Sequence, residues 1–250
     1  MSKINLFVAP FTIGAGALFF TAAAEAQSLT GNVGSAGVSD GEQSLETRFG
    51  INDDGKSGAR VHYDYAATDW YQLRLISSFS KPDAEDWDFS AFTVENWFQW
   101  SEEARSNEGF NGGLRFAYSF ADGGGPDEAE VRLTITDKFA GAWEWRANAI
   151  GEIETGSGSE GGVEIETRAQ LTRGIDIGMF GASGARLGFE VFSEWGNSRD
   201  IGGIDEQAHQ IGPVIKLDWS SGVFLQSAVR AGLTDASDDG MFKVFIGREF

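Results

Sequence analysis

The sequence contains no cysteine and only two histidines. Disulfides and thiolate metal sites are therefore excluded, and a zinc-type centre has too few ligands to form. Basic residues are also scarce, with 19 Lys and Arg against 38 Asp and Glu and a net charge of -19. That balance argues against nucleic acid as a partner, and against docking on anionic lipid through a basic surface. Proline occurs 4 times against 34 glycines, a ratio that suits strands joined by tight, flexible turns. Beyond Ala26 no apolar run is long enough to cross a bilayer as a helix. The mean hydropathy of -0.23 fits a soluble protein, but it equally fits a chain whose lipid-facing and water-facing residues alternate and average out.

The amino terminus has the form of an export signal. Lys3 supplies the positive start, Leu6 to Phe20 the apolar stretch, and Ala24-Glu25-Ala26 a small-x-small cleavage pattern. Met1 to Ala26 is thus expected to be removed, leaving Gln27 as the new terminus. Gln27 to Gly41 is small, polar and without period, and is expected to be a flexible leader on the periplasmic side. The remainder, 42–250, is expected to form one domain.

That remainder alternates almost without interruption. Leu45, Thr47, Phe49 and Ile51 oppose Glu46 and Arg48, and Val131, Leu133 and Ile135 oppose Glu130, Arg132 and Thr134. Val163, Ile165, Thr167, Ala169 and Leu171 oppose Glu164, Glu166, Arg168 and Gln170. Period two is the mark of strands with one dry and one wet face. Counted along the chain, about twelve strands of roughly ten residues emerge, the length a tilted strand needs to span a membrane. Pro213 alone falls inside a strand, where it removes a ladder hydrogen bond. Gly174 to Gly184 reads either as an extension of a strand or as a longer connection.

Alternation alone does not separate a membrane barrel from a soluble sandwich or lipocalin-like barrel, because the two differ only in which face turns inward. Three features favour the membrane. Acid and base follow one another on the polar faces, as lumen pairs would. Trp70, Trp100, Trp143, Trp195 and Trp219 fall near strand ends, where an aromatic girdle would lie. The final segment, Gly240 to Phe250, has Phe242, Val244 and Ile246 at alternate positions and a terminal aromatic. It resembles the closing strand of bacterial outer-membrane barrels, although Arg248 stands where that pattern has a second apolar residue. The expected fold is therefore all-β, a transmembrane up-and-down antiparallel barrel of about 12 strands in the outer membrane.

The runs LGFEVFSEWGNS (Leu187–Ser198), HQIGPVIKL (His209–Leu217) and AGLTDASDDG (Ala231–Gly240), with the final strand, carry a closer likeness. Over this last third the chain resembles outer-membrane transporters of the phenol-degradation (meta-pathway) type. The resemblance implies a barrel that moves hydrophobic or aromatic compounds, and it supplies no catalytic residue.

The expected function is a passive pore or facilitator for small compounds. Its lumen-lining residues are Arg60, His62, Arg74, Glu95, Arg115, Arg132, Glu144, Arg146, Glu166, Arg168, Glu190, Lys216 and Arg230, since charged rings on a pore wall set selectivity. The same pairs would serve equally to fill a closed structural barrel. A barrel hydrolase is the remaining alternative, with His62 as base, Asp64 two residues on to orient it, and Ser57 near the same rim. No enzyme activity, cofactor or metal is expected. The expected partners are outer-membrane lipid, the barrel-assembly machinery through the closing strand, and a small-molecule solute, with no nucleic acid.

Overall fold

The computed structural model describes residues 22–82, 85–100, 109–176 and 178–250. Most of the expected export signal, residues 1–21, lies outside them, as does nearly all of the connection at 101–108. A short helix, α1 (Ala22–Leu29), leads into an irregular segment. The strands follow as β1 (Gln43–Asn52), β2 (Ser57–Ala66), β3 (Tyr71–Lys81), β4 (Asp88–Gln99), β5 (Gly109–Ala121) and β6 (Asp127–Phe139). The second half comprises β7 (Trp143–Thr155), β8 (Glu164–Ile175), β9 (Gly184–Asn197), β10 (Ala208–Asp218), β11 (Val223–Gly232) and β12 (Gly240–Glu249).

Each strand pairs antiparallel with its neighbours in sequence, and β12 pairs with β1, so the sheet closes into a 12-strand barrel. At the seam Ser44 stands opposite Glu249 and Asn52 opposite Met241. The seam ends where Gln43 and Phe250 exchange backbone hydrogen bonds of 2.9 and 3.3 Å. Closure leaves no unpaired edge, which a β-structure needs in order to sit in hydrocarbon. We call the end carrying Gln43 and Phe250 the near end, and the end carrying the β1–β2 turn the far end.

The alternation resolves as a membrane barrel. In β6, Glu128, Glu130, Arg132, Thr134 and Thr136 are buried toward the lumen, whereas Val131 and Leu133 face out. Leu45, Tyr63, Phe116, Phe189 and Ile246 are exposed on the outside. Large apolar groups outside and charges inside are stable only if the surrounding medium is lipid. Trp70, Trp100 and Trp143 stand exposed toward the near end, and Trp87 and Trp195 toward the far end, as interfacial girdles require.

Pro213 is accommodated at a break in one ladder. Pairing with β9 continues through Pro213 opposite Phe189, but the β10–β11 register passes from Ile211/Ala231 to Val214/Ala228. The missing N–H thus falls where no ladder bond is made. Most of Gly174–Gly184 is a connection, with its ends in strands: β8 runs to Ile175, a 3-10 turn spans Met179–Gly181, and β9 starts at Gly184.

The stretch expected to hang as a flexible periplasmic leader instead lies inside the barrel. Ala26, Leu29, Thr30, Val33, Ala36 and Val38 are almost wholly inaccessible. Near the near end the Gly41 amide donates to the Ala66 carbonyl (3.0 Å). Toward the far end Leu29 and Ala26 press on Gly50 and Gly58, which face each other across β1 and β2. A Cβ at Gly50 would collide with the Leu29 carbonyl. The segment has no period of its own because the barrel wall supplies the partners for its backbone.

Candidate functional site: the barrel lumen

The lumen wall holds the threaded segment mainly through its backbone. Lys243 Nζ donates to Gly31 O (2.8 Å), Arg230 Nη2 to Ser28 O (3.3 Å), Arg168 Nη1 to Asn32 O (3.5 Å) and Arg115 Nη2 to Ser35 O (3.1 Å). Acceptors on the wall take the amides: Asn148 Oδ1 from Gly34 (2.8 Å), Thr136 Oγ1 from Ala36 (3.0 Å) and Gln99 Oε1 from Val38 (2.5 Å). The carbonyl of Ser28 belongs to the last turn of α1, so Arg230 also sits at the negative end of the helix dipole. Higher in the lumen, Gln27 Nε2 bridges Glu130 (3.1 Å) and Glu152 (2.9 Å), and Ser28 Oγ donates to Glu194 (3.0 Å).

Close approach explains why the segment is small. A Cβ at Gly34 would overlap the Arg115 guanidinium, and one at Gly31 would meet Phe192 and Arg168. Phe192 is itself the centre of a cationic group, with Arg230 at 3.7 Å, Lys243 at 4.5 Å and Arg168 at 5.1 Å from its ring centroid. Their counter-ion is Glu190, fully buried, 2.6 Å from Lys243 and 3.8 Å from Arg230. A carboxylate so placed is stable only while its cations remain.

Of the thirteen residues chosen from the sequence, nine are buried and Arg74, Arg146, Glu166 and Lys216 are half-buried, and they form several sub-sites. Arg74 clamps Asp64 (2.5 and 3.0 Å) and reaches Glu95 (3.4 Å), which Arg115 approaches from the other side (3.6 Å). Arg132 pairs bidentately with Glu130 (3.0 and 2.8 Å), Arg146 with Glu144 (2.5 Å) and Arg168 with Glu166 (2.6 Å). Lys216 is partly exposed and pairs with Asp218 (3.0 Å). Arg60 is buried, and among the described residues it makes no ion pair or hydrogen bond. The sequence-chosen set is weighted toward cations, and the structure corrects this by adding Glu46, Asp64, Glu130, Glu152 and Glu194 to the wall. Lys243 was visible as the polar side of the last strand. The threaded segment offered no periodic signal that would have revealed it.

His62 does not form the pair proposed for catalysis. Asp64 is committed to Arg74 and to Ser44 Oγ (2.8 Å), and neither ring nitrogen of His62 has a hydrogen-bond partner. The nearest acid is Glu46 at 4.0 Å, itself bound by Arg48. Beside the threaded segment, along the wall formed mainly by β1 to β6, lies a polar cavity that is partly open to solvent. Arg60, His62, Arg74, Trp97, Arg115 and Arg132 line it. Among the described residues no cluster of His, Asp and Glu has the makings of a metal site.

A closed antiparallel barrel that is apolar outside and charged within has the architecture of an outer-membrane β-barrel. Comparison with solved structures agrees on the fold. The chain is similar to the COG4313 outer membrane channel from Pseudomonas putida F1, with a TM-score of 0.54 and 12% identity over 88% of this chain and 99% of that one. It is also similar to the NanC porin, with a TM-score of 0.52 and 10% identity over 82% of this chain and 98% of that one. No protein-family profile and no curated protein matches the sequence.

Proposed function

We propose that this protein is a passive outer-membrane channel for small solutes, narrowed by its own amino-terminal segment. The observation that carries the reading is the cavity beside residues 27–38: a charged, partly open space running against the wall of a lipid-embedded barrel. Fixed charges of both signs on a pore wall select solutes by sign and size. Hydrophobic or aromatic compounds, implied by the resemblance of the last third, would meet a wall whose aromatic rings, Trp97, Phe192, Phe224 and Phe245, each lie under a cation.

In this reading Met1–Ala26 is removed on export, the near end faces the periplasm, and the closing strand engages the barrel-assembly machinery. Cleavage after Ala26 would put the new amine on Gln27, the residue whose side-chain amide donates to Glu130 and Glu152. The second reading, a closed structural barrel, is favoured by the depth to which residues 27–38 fill the lumen. Planar-bilayer recording separates the two. The channel reading expects discrete conductance steps from the mature protein, and larger steps once residues 27–38 are deleted. Folded protein that passes no current in either form would establish the closed barrel.

A further inference from the structure

Hydrogen-bond accounting in the lumen cavity leaves a surplus of donors. Arg60 Nε, Arg115 Nε and Trp97 Nε1 are buried and have no acceptor from the protein, and both ring nitrogens of His62 are likewise without partners. All four residues line the same cavity. A guanidinium and an indole N–H only donate, and a buried donor left unpaired is costly, more so when charged.

The nearby carboxylates do not make up the deficit, because each is already engaged. Glu46 is bound by Arg48, Asp64 by Arg74 and Ser44, and Glu130 by Arg132. Glu95 is shared between Arg74 and Arg115. Of Arg48, Arg60, Arg74, Arg115 and Arg132 on this stretch of wall, Arg60 alone has no carboxylate partner among the described residues.

We propose that the cavity is a binding station for a small organic carboxylate, held by the Arg60 guanidinium and flanked by His62, Trp97 and Arg115. A carboxylate is acceptor-only and planar, so it matches both the surplus of donors and the guanidinium fork. Arg60 differs in this from its neighbours: Arg48, Arg74 and Arg132 are consumed by structural pairs, whereas Arg60 is left for a ligand. As a binding site the station stands without the channel reading; as the step that selects permeating solutes it rests on that reading.

The test is calorimetric titration of the folded mature protein in detergent with potassium benzoate and potassium acetate. Saturable binding near one equivalent is expected. Arg60→Gln should weaken it about tenfold or more, the loss of one charge-assisted hydrogen-bonded contact. Arg60→Lys, which keeps the charge but not the fork, should fall between. Arg173→Gln, at an exposed cation, should bind as the parent does. Heat-modifiable migration in SDS reports that each variant is folded. Absence of saturable binding to the folded parent would overturn the proposal. So would unchanged affinity in Arg60→Gln, or a loss of thermal stability in that variant without loss of binding. In planar bilayers Arg60→Gln should shift the reversal potential toward cation preference. Carboxylate binding without any conductance would keep the station and remove only the channel reading.

Discussion

Replacing Lys243 by Met tests how the lumen holds the threaded segment. Lys243 performs two tasks from one fully buried position: it neutralises Glu190 at 2.6 Å, and it donates to the Gly31 carbonyl at 2.8 Å. Removing one partner of a buried pair costs about 3–5 kcal/mol, because the other charge is stranded. Glu190 keeps Arg230 at 3.8 Å and the Gln170 amide at 3.5 Å, so the lower end of that range is expected for barrel stability. The lost bond to Gly31 acts on the segment alone and is worth about 1.5–3 kcal/mol for a charged donor. At ~1.4 kcal/mol per factor of ten, the population with the segment released should rise roughly ten- to a hundredfold. The double variant Glu190→Gln/Lys243→Met removes both charges, so most of the barrel stability should return while the segment stays loose. Urea titration followed by tryptophan fluorescence reads the first effect. Proteolysis of residues 27–41 in folded barrels reads the second. If the double variant is destabilised by the sum of the two singles, Glu190 and Lys243 are not a coupled pair and the reasoning fails.

Further outcomes follow from the same geometry. Gly50→Val should drive α1 away from the wall, because its Cβ would collide with the Leu29 carbonyl; faster proteolysis of 27–41 in an intact barrel would show it. Leu133→Arg should cost about 2–4 kcal/mol if that outward position meets mid-bilayer lipid, measured by unfolding in liposomes. Thr134→Arg, at a lumen position with no accessible surface, should displace the segment and leave the barrel folded. Asp238, in the β11–β12 loop, has its carboxyl pushed up by burial and by Asp53 and Asp54, against the opposing bond from Asn52 (3.0 Å). The folded state then binds that proton more tightly than the unfolded state, so this group's contribution to stability falls as pH rises through its raised pKa and returns on acidification. Asp238→Asn should therefore raise stability at neutral pH and flatten this dependence above the ordinary carboxylate range, read by thermal unfolding beside the parent.

The barrel was legible because its signal is local. A strand such as β8 declares its two faces within a dozen residues, and Glu166, Arg168 and Gln170 could only share one side. Even the wall residue Trp97, which breaks the pattern by standing on the polar face, finds its reason in the Arg115 guanidinium 3.6 Å over its ring. What stayed hidden is non-local. Ion pairs two residues apart on one strand, such as Glu130/Arg132, can be guessed from spacing. The meeting of Glu190 with Lys243 and Arg230 depends on three strands brought together by closure. The fate of residues 27–41 was hidden for another reason. Their side chains are too small to pattern, and what binds them is their backbone, which every sequence possesses.

That last point bears on how the lumen works. A segment held by side-chain-to-backbone bonds is tied along its length by individually modest contacts, each net worth about 1–3 kcal/mol. No single apolar anchor spans the barrel: Val38 rests on Ala66 and Trp97 near one end, while Leu29 lies against Gly50 toward the other. Such an arrangement can be released stepwise, since losing one bond exposes a carbonyl to lumen water that can solvate it. A hydrophobic plug would have no such substitute for its lost contacts. Residues 28–38 carry no charged side chain, and carbonyls and amides add no net charge, so this part of the segment leaves the charge of the wall unchanged whether it is in or out. The ionic character of the cavity at Arg60 is therefore set mainly by the barrel wall, with the amine that cleavage would leave on Gln27 as the segment's one charge, and residues 28–38 govern how much room remains beside it.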